Sequence, residues 1–153
     1  MREIQLALIA GAGAFIAIAI LAFSQTISAE HIFLMAPLGA TAVLVFGVPE
    51  SPLAQPKNVI FGHIITATIG IIFAQYIGVN EFTLALATGL GVFSMLVTKT
   101  THPPAGANPI LIMLALEGWS FLFTPVIIGA VVLVLVGKAT LAAKTKLTTI
   151  TAA

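Results

Sequence analysis

The chain has no cysteine, its five acidic residues are all glutamate, and only 7% of its 153 positions are charged. Without cysteine there is no disulfide, no thiol nucleophile and no thiolate-bound metal. Without aspartate a Ser/His/Asp triad is excluded, and only glutamate remains to take that place. The three histidines and five glutamates fall in no HExxH spacing, so neither a catalytic metal nor a cofactor is expected, and the chain does not read as an enzyme. A net charge of +1 is silent on nucleic acid, and no basic stripe among aromatics suggests one, so no nucleic-acid partner is expected. What the chain has is apolar surface: 59% of residues are hydrophobic and the mean hydropathy is +1.17. A water-soluble core of this size cannot hide so much, so the bilayer is its solvent.

Four runs are long enough to span: Ile4 to Phe23, Asn58 to Gly78, Phe82 to Thr98 and Trp119 to Gly137. A spanning helix needs about 20 apolar residues, and the third run sits at the short end of that range. The first run exceeds the roughly 7–15 apolar residues of a cleaved leader, so it reads as a span.

Between these runs the chain repeats itself. Pro37-Leu-Gly-Ala-Thr-Ala-Val-Leu-Val-Phe46 returns 67 positions later as Pro104-Ala-Gly-Ala-Asn-Pro-Ile-Leu-Ile-Met113. The register holds beyond it, with Glu50 matching Glu117 and Val59-Ile-Phe-Gly62 matching Val126-Ile-Ile-Gly129. Gly and Pro in one such segment need mean no more than a broken helix and close packing, both common in membranes. A matched pair in two halves of a chain points instead to a transporter's binding site.

About 12 helical residues reach only about 18 Å, against a hydrocarbon core of about 30 Å. Extended lead-ins, His31 to Ala36 and Thr100 to Pro103, would supply the remainder, because a residue before proline avoids the α region. The alternative is a pair of re-entrant loops. With six crossings, Arg2, Lys57, Lys99, Lys138, Lys144 and Lys146 share one side, while Glu30, Glu81 and Glu117 share the other. The positive-inside rule then makes both termini cytoplasmic, and re-entrant segments would spoil the partition by putting Lys57 outside. The expected fold is therefore an all-α integral membrane protein of six segments in two inverted three-segment repeats, with segments 2 and 5 broken into an extended lead-in plus a half-helix. Residues 1–138 form one transmembrane domain, with repeat 1 at about 4–78 and repeat 2 at about 82–138, and residues 139–153 form a cytoplasmic tail. The expected location is a bacterial inner (plasma) membrane.

In that arrangement the half-helix N-termini face each other near mid-membrane. Each carries N–H groups without helical partners and about +0.5 charge from the macrodipole, so the pair suits one small monovalent anion. Gly39, Ala40 and Thr41 in one copy, and Gly106, Ala107 and Asn108 in the other, are the candidate binding residues. The glycines admit close backbone approach, and Thr41 and Asn108 add side-chain donors. A back-bonded helix threonine is the simpler reading of Thr41 alone. His102 and His63 are candidate proton-relay or gating residues, against the commoner role of satisfying a nearby carbonyl. His31 is expected to cap a loop near the outer surface. Lys57 and Lys99 set topology and are placed to attract anions at the inner mouth. Gly11-x-Gly13 and Gly89-x-Gly91 lack the strand–turn–helix context of a phosphate loop and read as helix contacts.

The run Thr101-His-Pro-Pro-Ala-Gly-Ala-Asn-Pro109 resembles the signature of the HPP family of integral membrane proteins. Ala36-Pro-Leu-Gly-Ala-Thr-Ala-Val-Leu44 and Ser51-Pro-Leu-Ala-Gln-Pro-Lys-Asn58, followed by Gly62-His63, are similar to that family's pattern too. The resemblance implies transport of nitrite, the substrate assigned to cyanobacterial and plastid members. Family accounts often count four spans, fewer than the six inferred from the charges. The leading expectation is a nitrite carrier working as a homodimer, the commonest closed symmetry. A passive channel for the same anion, and a non-transporting scaffold or subunit, stand as alternatives, and the residues themselves leave nitrite, nitrate, formate and bicarbonate all open as the anion.

Overall fold

The computed structural model describes residues 2–27 and 33–150. Every regular element among them is helical. Helix α1 is Arg2–Ile27. Helix α2, Ala36–Gly47, begins as α and relaxes into a π turn over Val43–Gly47. After a 3-10 turn at Pro52–Ala54 comes α3, Pro56–Ile77, and then α4, Glu81–Val97. Helix α5 covers 103–115, and α6 runs over 119–150 with a bend at Thr124, whose φ of −126° and ψ of 118° are extended. Three spans, Glu3–Thr26, Pro56–Ile77 and Trp119–Leu147, are long and apolar enough to cross a membrane; Ala36–Gly47 and Glu81–Val97 are shorter apolar helices. The 139–150 stretch, expected as a tail, continues α6 as helix.

The starts of the short helices follow from proline. Pro37 lies in the first turn of α2, where its missing N–H costs nothing, and Met35 before it is extended at φ −136° and ψ 152°. Pro103 and Pro104 open α5 in the same way after an extended His102. The first copy continues as an α-helix, whereas 103–107 is held as a 3-10 turn. The sequence difference that fits is Pro109, which stands where the first copy has Ala42 and whose ring cannot sit over the carbonyl four residues back. Helix α4 starts on a capping box: the Asn80 side chain accepts from the Thr83 N–H, and the Thr83 hydroxyl accepts from the Asn80 N–H, both at 2.9 Å. Helix α5 ends on Leu116 in the left-handed region, φ 54°, with the Glu117 N–H bonded to the Ile112 carbonyl at 3.0 Å.

Glycines set how the helices meet. A Cβ on Gly70 of α3 would lie 2.9 Å from Pro109 Cα and 3.2 Å from Ile112 Cβ. Its match 67 positions on, Gly137 of α6, is filled by Val45, which is itself the match of Ile112. Likewise Gly129 of α6 receives Leu38. Each short helix therefore packs on the long helix that belongs to the other copy of the repeat. Gly13 of α1 seats against Thr140 and Phe46, and Gly91 of α4 against Thr66 and Pro109, while Gly11 and Gly89 meet nothing within 4 Å. The larger core cluster joins Leu21, Leu38, Phe46, Ile71, Ile112 and Leu133 across all the long and short helices except α4.

Contacts along α3 give the course of α5. At the start of α3, the Asn58 Nδ2 donates to the Thr101 carbonyl at 2.9 Å. At its far end, Gln75 Nε2 donates to the Glu117 carbonyl at 3.1 Å, and Trp119 Nε1 donates to the Tyr76 hydroxyl at 3.0 Å. Residues 101–117 thus run beside α3 for about 25 Å, at 1.5 Å per helical residue. At the other end of the molecule, Lys144 Nζ of α6 donates to the Phe46 carbonyl at 3.0 Å, where α2 finishes.

Candidate functional site

Buried polar side chains are few, and most of them meet in one place. Thr41, His63, Thr66, His102 and Asn108 have no solvent-exposed surface. Thr41 comes from α2, His63 and Thr66 from α3, His102 from the residue before α5 and Asn108 from within it. The repeat therefore brings its two equivalent polar residues, Thr41 and Asn108, onto one imidazole: His63 Nε2 lies 2.8 Å from Thr41 Oγ1, and His63 Nδ1 lies 3.0 Å from Asn108 Nδ2. On its other side Thr41 Oγ1 is 2.9 Å from His102 Nε2, and His102 Nδ1 is 2.8 Å from the Leu53 carbonyl in the 3-10 turn. The two rings meet edge to face, with centroids 5.0 Å apart.

The anchors fix the direction of these bonds. The Leu53 carbonyl only accepts, so His102 carries its proton on Nδ1 and offers the Nε2 lone pair to Thr41. The amide nitrogen of Asn108 lies 3.2 Å from the His63 carbonyl and 3.0 Å from Thr66 Oγ1, and the Thr66 hydroxyl donates to the Gly62 carbonyl at 2.8 Å. That nitrogen is therefore a donor, His63 Nδ1 accepts from it, and His63 Nε2–H donates to Thr41. Asn108 Oδ1 is buried and has no partner among the described residues. Reversing the amide would set an oxygen against the His63 carbonyl, so the orphaned acceptor stays.

Thr41 and Asn108 thus face inward and spend their donors on the histidines rather than standing free at a half-helix mouth. The surface at the two helix starts is made by their neighbours. A groove of about 390 Å³ runs between the starts of the two short helices, lined by Ala36, Pro37 and Ala40 of one copy and Pro103, Pro104 and Ala107 of the other, with Ile110 and Leu111 beside them. The first six are repeat-equivalent pairs. Gly39 is exposed, Gly106 half-buried, and a Cβ on either would meet nothing within 4 Å. The starts of these short helices are partly capped already, since the Leu38 N–H bonds to the Met35 carbonyl and the Ala105 N–H to the His102 carbonyl, both at 3.0 Å. Lys57 and Lys99 are exposed, at the end of the molecule where Asn58 meets Thr101. His31 and Glu30 lie outside the described residues, as do residues 31 and 32 of the first lead-in.

Sequence reasoning singled out both histidines separately and missed that they share Thr41. It also missed Thr66 and the Leu53 carbonyl. The spacing of Gly62-His63 and Thr66 on one helix, one turn apart, was the available signal for Thr66. Nothing in the sequence marks a backbone carbonyl.

An apolar chain whose described elements are all helices, and whose buried polar side chains mostly meet in one cluster, defines the class as a membrane protein with an internal polar site. Residues 1–147 match the family described as HPP, transmembrane region, and the chain belongs to that family. It is similar to two transmembrane proteins of Dictyostelium discoideum. One is 40% identical over 126 residues, covering 77% of this chain and 40% of that protein. The other is 33% identical over 143 residues, covering 88% and 50%. The chain therefore spans half or less of the length of these relatives. No solved structure matches it.

Proposed function

We propose that the protein is a transporter, not an enzyme, for a small monovalent anion, with nitrite the first candidate, and that it works as a homodimer in a bacterial plasma membrane with both termini cytoplasmic. The observation that carries this reading is the single imidazole of His63 joined to Thr41 and Asn108, the equivalent polar residues of two half-helices. Polar groups at membrane depth are costly and mark substrate paths, and half-helices meeting between two repeats are where transporters bind. On this reading the anion is received at the short-helix starts beside that groove, where Gly106 and Gly39, which opens toward Gly11 and Ala14 of α1, offer backbone for it to approach, with the histidine cluster beneath. Nitrite rather than another small anion comes from the family resemblance.

Six crossings in two inverted units fit this function, and several contacts support them. Residues 101–117 follow α3 from its first turn to its last, as a broken crossing would and a re-entrant loop would not. Helix α2 ends beside Lys144, near the finish of α6, whereas the segment after α5 meets Gln75, near the finish of α3. The Gly70–Ile112 and Gly137–Val45 contacts are the same contact with the copies exchanged.

The test is nitrite uptake into proteoliposomes by the native chain, Gly39→Ala and Gly106→Ala. Neither added methyl meets an atom within 4 Å, so both variants fold. A tenfold or greater loss of uptake in both supports an anion against that backbone. Native protein that moves no nitrite by uptake or exchange sinks the substrate, and uptake untouched by either methyl sinks the site. Crosslinking in native membranes that captures only monomers would remove the homodimer.

A further inference from the structure

The Thr41 hydroxyl lies within hydrogen-bond distance of three groups: His63 Nε2 at 2.8 Å, His102 Nε2 at 2.9 Å and the Pro37 carbonyl at 3.0 Å. With the His102–Leu53 contact at 2.8 Å, that makes four heavy-atom pairs, each needing one hydrogen. Two neutral imidazoles and one hydroxyl supply three. His102 spends its proton on Leu53, His63 spends its own on Thr41, and the Thr41 proton goes to His102, leaving the Pro37 carbonyl contact without one. One added proton completes the set with no side chain moving. It enters on His102 Nε2, which then donates to Thr41; the Thr41 hydroxyl turns its hydrogen to the Pro37 carbonyl; and His102 becomes an imidazolium donating from both nitrogens. The hydroxyl oxygen then accepts two bonds and gives one, its full capacity. A second proton has no place, because it would have to sit on His63 Nδ1, which faces the Asn108 N–H.

We propose that His63, Thr41 and His102 form a binding site for one proton, and that this proton is the co-substrate that moves with the anion. The coupling half of the proposal rests on the anion reading above; the one-proton site does not. The charge balance favours the pairing. A lone cation or anion at membrane depth is costly, whereas one proton beside one monovalent anion leaves the loaded site with no net charge, so each favours the binding of the other. The direct partners of the two rings are each other, Thr41, Asn108 and the Leu53 carbonyl, with no carboxylate, lysine or arginine among them. On the elements packed round the cluster, the charged groups are Glu50 before the 3-10 turn, Lys57 on α3, Glu81 and Lys99 at the two ends of α4, Glu117 after α5, and Lys138, Lys144 and Lys146 on α6. All but Glu117 and Lys144 are exposed. The cluster is therefore the one titratable pair inside the described fold.

The experiment is 15N NMR of histidine-labelled full chain in lipid nanodiscs, in a His31→Gln background that leaves two histidine signals. At neutral pH without ligand, two neutral rings of opposite tautomer are expected, His63 protonated on Nε2 and His102 on Nδ1. Saturating sodium nitrite is expected to add one proton per chain, read as an imidazolium shift on His102 alone and as one proton withdrawn from weakly buffered solvent per nitrite bound. Nitrite that binds while both rings stay neutral, or while both become charged, overturns the proposal. Should nitrite not bind, the anion reading fails by itself, and acid titration of the same sample judges the proton site. A single protonation, on His102 with His63 still neutral, supports it; protonation of both rings, or of neither before the fold is lost, refutes it. Thr41→Val, which removes the acceptor of the added His102 Nε2–H while leaving the Asn108 N–H against His63 Nδ1, is expected to weaken that single protonation, and Thr41→Ser to restore it.

Discussion

Thr41→Val is the most economical perturbation of the site, because valine keeps the shape and removes only the hydroxyl. Three contacts disappear, to the Pro37 carbonyl and to both Nε2 atoms. The helix carbonyl loses little, since with both rings neutral the Thr41 hydrogen is spent on His102 and only the close contact to Pro37 goes. The two imidazole nitrogens are the larger one: His63 keeps a buried N–H with no acceptor and His102 a buried lone pair with no donor. Each orphaned buried group costs about 1–3 kcal/mol in a folded protein. Hydrogen bonds between membrane helices average only about 0.6 kcal/mol, because a chain unfolded within the bilayer finds substitutes. The residues concerned are fully buried and the bonds are shared, so the expected net destabilisation is about 1–3 kcal/mol, roughly a 5- to 150-fold fall in the folded ratio. The chain's one tryptophan offers the readout. Trp119 is bonded to Tyr76, so its fluorescence reports the docking of α6 on α3 during reversible unfolding in mixed micelles. Thr41→Ser should recover most of the loss. A valine variant as stable as the native chain, or a serine variant as damaged as valine, would refute the bond directions assigned here.

Gly70→Ala should destabilise by about 1–3 kcal/mol, because its methyl would sit 2.9 Å from Pro109 Cα and the backbone of α5 must move. Gly39→Ala and Gly106→Ala should change stability by less than about 0.5 kcal/mol in the same assay. Lys144→Met removes the cation that donates to the Phe46 carbonyl at the end of α2, and should cost about 0.3–1 kcal/mol at low ionic strength, shrinking as salt is added. Replacing Lys57 and Lys99 together by Gln should slow initial nitrite uptake at low salt and converge on the native rate at high salt, if their role is to concentrate anions.

The membrane class, the repeat and the short helices between the long ones are all legible in the sequence, because each follows from local chemistry: run length, proline placement and a pattern that recurs. The pairing of Gly70 with Ile112, and of Gly137 with Val45, is not, since a glycine's neighbour across a helix interface is a tertiary fact. The candidate residues were legible as types but not as a constellation. Thr41 and Asn108 looked like free donors because the sequence shows what a side chain carries, not which way it faces. His63 and His102 lie 39 positions apart, and only the closure of α5 against α3 brings their rings to 5.0 Å.

The two copies share a scaffold but not a chemistry. His63 corresponds to Ala130 in the second copy, and His102 to Met35 in the first, both buried and apolar. Exchanging the copies would therefore map the histidine–threonine–histidine chain onto alanine, asparagine and methionine, so the molecule holds one such chain rather than two. In a carrier that alternates by exchanging the conformations of its repeats, both facing states use the same groove, yet the cluster stays tied to one end of the protein. His102 bonds to the turn carrying Leu53 and follows exposed Lys99 by three positions, so that end is the one rich in lysine. The pH response should then be one-sided. In proteoliposomes of known orientation, acidifying the lysine-bearing face should raise nitrite entry from that face by several-fold more than the same change does at the opposite face. Equal responses at the two faces would mean that protons reach the cluster from both, and would remove the argument that the asymmetry of the histidines gives transport its direction.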